Sequence, residues 1–167
     1  MEWVRGWRGL ALALCLGVAL TGCGGGSGKD KKAAAKATPT TFSGDADKAC
    51  RLATKSDVEA AIGSTVNPGQ GSNGTVCRYE LTSSAAQFVS IESKESPQSS
   101  EIYDLLLSGA SGAENLTGVG DRAFVAGTRA VVLRGPKLTT ITVGTGQPQA
   151  AVTAALKKLA QAVGLHS

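Results

Sequence analysis

The sequence predicts an α+β fold, a single domain built on an antiparallel or mixed sheet of about five strands with helices packed on it. Three observations carry this expectation. Strand-like segments come in runs of two and three, in the order helix, two strands, helix, three strands, helix, and not as the single strands between helices that a parallel sheet requires. Short apolar stripes of helical period end at glycines, which marks the helices as separate packed elements. About 120 residues follow the N-terminal segments, enough for one hydrophobic core.

Residues 1–22 have the layout of a secretory signal. Arg5 and Arg8 give a positive start, an apolar run extends from Leu10 to Leu20, and small residues precede Cys23. The run is too short to cross a bilayer, which takes roughly 20 apolar residues in a helix. Leu20-Thr21-Gly22-Cys23 resembles the bacterial lipobox. That resemblance implies cleavage between Gly22 and Cys23, a diacylglycerol on the Cys23 sulfur, and acylation of the new amino terminus by a chain such as palmitate. The alternative is an ordinary signal peptide with a chance cysteine near its end. Two acyl chains at about 0.8 kcal/mol per buried methylene would hold the protein on a membrane without a transmembrane helix.

Residues 23–44 then read as the lipidated cysteine and a disordered tether. Gly, Ser, Lys, Ala and Thr dominate, with no apolar period that could bury a face. Residues 45–167 are the globular domain. Charge sorts along the same boundaries: the net +4 belongs to the signal and the tether, because residues 45–167 hold eleven Lys and Arg against eleven Asp and Glu. A neutral domain has no electrostatic footprint for a phosphate backbone, so nucleic acid is not expected as a partner.

Within the domain, Thr54 with Asp57 reads as a capping box, with aspartate in the usual place of glutamate. Val58, Ala61 and Ile62 follow as the apolar stripe, and Gly63 as a left-handed cap. Residues 67–74 read as a loop, followed by strands over 75–82 and 87–93 around Ser83-Ser84. Pro97 opens a second helix, in which Ile102, Leu105 and Leu106 share a face before Gly109. Residues 108–120 are glycine-rich and irregular. Three strands are expected over 122–126, 129–134 and 138–143, with Gly127-Thr128 and Gly135-Pro136 at the turns. The last helix spans 148–163, with Val152, Leu156, Leu159 and Val163 on one face and Gly164 as its cap. The few aromatics beyond the signal, Phe42, Tyr79, Phe88, Tyr103 and Phe124, mostly fall at alternating or helical positions and read as core and not as a stacking platform.

Once export is accepted the cysteines sort. Cys15 leaves with the signal and Cys23 takes the lipid, so Cys50 and Cys77 remain as an even pair in an oxidising compartment and are expected to form a disulfide. The rival reading is a metal pair or two reactive thiols. It has no CxxC spacing to support it, and the chain's one histidine, His166, is penultimate.

Three blocks resemble a family, the actinobacterial lipoproteins grouped as domain of unknown function 3558. The first runs from Asp47 through Cys50 to Thr54, continuing to Asp57-Val58 and Gly63. The second is Cys77-Arg78-Tyr79, and the third runs Gly118-Val119-Gly120-Asp121-Arg122-Ala123-Phe124. Ala49, Ala53 and Asp57 depart from the family's usual Pro, Leu and Glu. The resemblance implies a surface lipoprotein with one disulfide, no established activity and no catalytic residues to carry over.

Other motifs fit bland roles better. The stretches 69–74 and 118–123 satisfy the dinucleotide pattern GxGxxG or its alanine variant, but each leads into a strand where the fingerprint needs a helix. No GxSxG or SxxK is present, and His166 has no sensible nucleophile to activate. The acid pairs Asp45/Asp47, Asp57/Glu59 and Glu92/Glu95 read as solvated surface, since carboxyl catalysis needs a shaped cleft. Catalytic residues, metal ligands and cofactors are therefore not nominated. The expected function is a non-enzymatic binding or interaction domain facing the cell wall, on a membrane-anchored, extracytoplasmic lipoprotein whose protein or wall partner the residues do not name. The alternative is a small-molecule carrier or sensor with a pocket between sheet and helices. An enzyme is a third reading with no residues behind it.

Overall fold

The computed structural model describes residues 46–166. The signal peptide, the Gly22/Cys23 cleavage and lipidation site and the tether expected from the sequence lie outside them. Among the described residues the helices are α1 (Ala46–Cys50), α2 (Lys55–Ile62), α3 (Ser99–Ser108) and α4 (Gln149–His166). The strands are β1 (Gln70–Ser72), β2 (Val76–Leu81), β3 (Ser84–Glu95), β4 (Glu114–Asn115), β5 (Arg122–Ala126), β6 (Arg129–Arg134) and β7 (Lys137–Gly144). The fold is α+β: one sheet in the order β1-β2-β3-β7-β6-β5-β4, with every neighbouring pair antiparallel.

The sheet has seven strands where about five were expected. The additional two, β1 and β4, are short edge strands inside stretches read as loops. Three and two residues are too few to show an alternation, so no sequence period marks them. The segment before β1 pairs as well, through a bridge between Val66 and Leu81. Pro68-Gly69 separates that bridge from β1, and this breaks the edge into pieces too short to template a neighbouring chain.

The turns form as glycine allows. Gly127 (φ 55°) and Gly135 (φ 53°) take the first position of two-residue hairpin loops, the Gly-first pattern of type II′ connections. α2 has the predicted capping box, with Thr54 N–H donating to Asp57 Oδ2 at 2.7 Å and Asp57 N–H to Thr54 Oγ1 at 3.3 Å. The Thr54 hydroxyl, which donates to Asp57 Oδ2 at 2.6 Å, and then the Thr54 N–H hold the Asp57 carboxyl below its ordinary pKa. Gly63 closes the helix in the left-handed region.

At the end of α4 the expectation is corrected. Gly164 does not cap the helix, which continues to His166. A Cβ on Gly164 would sit 3.1 Å from Val119 and 3.3 Å from the Gly120 amide nitrogen, so the glycine permits the last turn to lie against that loop. Its carbonyl accepts a hydrogen bond from Arg134 at 2.8 Å, which satisfies one of the helix's terminal acceptors.

Helices cover both faces of the sheet, unequally. On one face α1, α2 and α4 bury the main core, in which Val58, Val89, Ile91, Ile141, Leu156 and Leu159 are fully enclosed. This interior is filled by side chains. On the other face α3 covers a smaller cluster, where Tyr103 meets Phe124 edge-on at 5.4 Å beside Val131, Leu133 and Leu138. Ser99 Oγ donates to the Pro136 carbonyl at 2.6 Å and fastens the start of α3 to the β6–β7 hairpin.

Candidate functional site

Cys50 and Cys77 are brought together as a disulfide, with an S–S distance of 2.06 Å and Cα atoms 5.0 Å apart. The bond joins α1 to β2. Beside it the Tyr79 hydroxyl donates to the Ala53 carbonyl at 2.6 Å and reaches the Cys50 carbonyl at 3.3 Å. Burial, then the nearby Asp57 charge, push the Tyr79 pKa from 10.0 to about 12. Gly69 lies directly against this pair: a Cβ there would come within 2.7 Å of the Tyr79 ring and 2.8 Å of the Cys77 sulfur. The cluster is structural, a covalent and hydrogen-bonded clasp.

Of the other sequence candidates, Asp45 and the Asp47 side chain lie outside what the structure describes, and the rest find ordinary roles. Asp57 caps α2, and Glu59 accepts from Val66 N–H at 3.1 Å with Lys55 3.6 Å away. Glu92 pairs with Lys94 at 2.6 Å and Glu95 with Lys137 at 4.0 Å. Asp121 and Arg122 separate: Asp121 accepts from Gly135 N–H, while Arg122 pairs with Asp104 and lies 4.3 Å from the Tyr103 ring centre. The hydrogen bond that Arg122 donates to Asp104 raises the Arg122 pKa, and burial raises that of Tyr103. Both glycine patterns lead into strands, β2 and β5, within antiparallel pairings.

The surface that remains is the uncovered half of the α3 face. Cross-strand partners share a face. The register places Arg78 beside Ser90, Ser90 beside Thr142, Glu92 beside Thr140, and Phe88 beside Gly144, on the same side as Leu138 and hence α3. Tyr103, Leu106 and Leu107 of α3 pack over the β5–β6 side, so these residues of β2, β3 and the second half of β7 stay half-exposed. Strand β2 shows it directly, alternating half-exposed and buried along its length.

The geometry here is built rather than incidental. The Phe88 ring packs on Gly144, where a Cβ would approach to 3.0 Å, and so fills the space the glycine leaves. The Arg78 guanidinium lies over the same ring, 3.9 Å from its centre, and its Nε donates to Glu80 Oε1 at 3.2 Å. Stacking and the ion pair together fix the cation, leaving its terminal N–H groups for a partner. Ser90, Thr140 and Thr142 add hydroxyls, and Glu80 and Glu92 add acceptors. Phe88 is thus half-exposed under a cation instead of being core as expected. The sequence signal was present in β2 and β3, where Arg78, Glu80, Ser90 and Glu92 alternate with the core residues and Phe88 is the one aromatic among them.

A scan against protein-family models matches none to this chain, and a search of curated proteins likewise finds no match.

Proposed function

We propose that this chain is a membrane-anchored, cell-surface lipoprotein whose domain is a non-enzymatic binding module facing the cell wall. Its proposed contact surface is the open half of the α3 face. The observation that carries the reading is the Arg78–Phe88–Gly144 stack among Ser90, Thr140 and Thr142, a fixed array of donors and acceptors that half a sheet leaves uncovered. A hydroxyl- and carboxylate-bearing wall glycan is the partner that suits it, because such a polymer offers acceptors to Arg78 and both donors and acceptors to the hydroxyls. The lipobox at Cys23 and the three blocks resembling actinobacterial lipoproteins support the location. The continuous cluster of buried side chains between sheet and α4 favours surface binding over a carrier with an internal pocket.

Two measurements test it. Sedimentation of the purified protein with insoluble cell-wall glycan should fall at least about tenfold for Arg78→Ala with Phe88→Leu, the loss expected when a fixed charged donor is removed. Equal retention of the variant would overturn the surface assignment. Separately, Cys23→Ala should release the protein from the membrane fraction, and unchanged fractionation with unchanged processing would overturn the anchoring.

A further inference from the structure

A second surface lies on the opposite face of the sheet, at the end where the chain enters the domain. A cavity of about 480 Å³ opens there between α1, the turn at Asn73-Gly74, the end of β3, the start of β7 and the last turn of α4. Lys48, Arg51 and Lys137 line it together with His166, and among the described residues one carboxylate, Glu95, does so. The domain's charges balance overall, and here Arg51 and Lys137 outnumber that carboxylate. Lys137 has Glu95 4.0 Å away, and Arg51 is exposed with no ion pair among the described residues. Beside His166, Leu165 is 79% exposed, the most exposed large apolar side chain of the domain, and Arg134 binds the neighbouring Gly164 carbonyl. A cation-lined cavity with a projecting leucine at the same helix end suits a surface of phosphates over hydrocarbon.

The position matters as much as the charge. The cavity is lined by α1, the first described element, and the chain before it leads back to Cys23. Fully extended, the segment between Cys23 and Ala46 spans at most about 80 Å. A lipid at Cys23 would therefore hold this end of the domain near a membrane, where weak contacts are intramolecular and take effect at high local concentration. We propose that the cavity end of the domain docks onto anionic phospholipid headgroups, seating the module with α1 towards the membrane. This rests on the anchoring proposed above. Glu95 offsets part of the charge, so a single phosphate is held weakly and a surface of many is held better.

The test reconstitutes the lipidated full-length chain into vesicles of phosphatidylcholine alone or with one third phosphatidylglycerol, and follows amide hydrogen exchange. Anionic vesicles should slow exchange in α1 and the last turn of α4 and leave β5 unchanged. Arg51→Gln with Lys137→Gln should lower the docked-to-undocked ratio by about 25-fold, each cation contributing about fivefold near an anionic surface. Thermal unfolding of the variant without vesicles controls for folding. Equal exchange in the two vesicles overturns the docking while leaving the anchoring intact. Loss of the slowing on adding millimolar inorganic phosphate would assign the cavity to the free anion and overturn the membrane as its source. If Cys23 is not acylated, co-sedimentation of the soluble chain with the same two vesicles replaces the first measurement, and equal pelleting overturns the docking.

Discussion

Tyr79 does more for the described domain than its place in a strand implies. Its ring closes over Gly69 and its hydroxyl holds the carbonyls of Ala53 and Cys50, so one side chain ties β2 to the segment between α1 and α2. Tyr79→Phe should cost about 1 to 2 kcal/mol in urea unfolding, because the Ala53 carbonyl loses its buried donor. The pH dependence has a definite sign. A folded pKa of about 12 against 10.0 means that the neutral phenol's contribution is complete below pH 10 and disappears as pH rises towards 12. Wild-type stability should therefore fall across that window more steeply than that of Tyr79→Phe, and unfolding midpoints measured from pH 9 to 12 check it. At the same scale, Thr54, Asp57 and Gly63 were legible because each cap uses local bonds that the sequence spells out. Phe88 and Gly164 were not. Phe88 depends on a glycine across the sheet, and Gly164 on a loop more than forty residues earlier in the chain.

Among the elements, α1 and β1 owe their positions to contacts beyond themselves. Neither is long enough to form alone: α1 has five residues and β1 three. The disulfide supplies what local propensity does not. Closing the 27-residue separation between Cys50 and Cys77 stabilises the domain by about 3 to 4 kcal/mol in the chain-entropy model. Cys50→Ala with Cys77→Ala should lose that amount in denaturant unfolding, with α1 and β1 exchanging their amides first. A double variant as stable as the wild type would show that Tyr79 and the core hold these elements unaided. The strands β5, β6 and β7 were readable to within a residue because glycine turns bracket them. The edge strands carry no such punctuation, and tertiary pairing alone defines them.

For the domain as a whole, one sheet serves two unequal cores. Val131 and Leu133 belong to the cluster under α3, while Ala130 and Val132 on the same strand belong to the core under α4. Neither cluster can loosen without disturbing the other. Far-ultraviolet circular dichroism and tyrosine fluorescence should therefore lose signal at one denaturant midpoint, although Tyr79 and Tyr103 lie on opposite faces. Separate midpoints would mean that α3 detaches first. The α+β class was legible from the grouping of strands, which sets topology through short hairpins. The open half of the α3 face was not, since its existence depends on where a ten-residue helix comes to rest over a seven-stranded sheet.

The clasp between α1 and β2 also decides how the domain bears load. A pull on the chain at Ala46 travels five residues to Cys50, then crosses a covalent bond into Cys77 in the body of the sheet. Residues 51–76, with α2 and β1, lie on a loop that the force bypasses. A domain held from this end would transmit drag directly to its strands, and it could be tugged without first unravelling α2 or peeling β1 from the sheet.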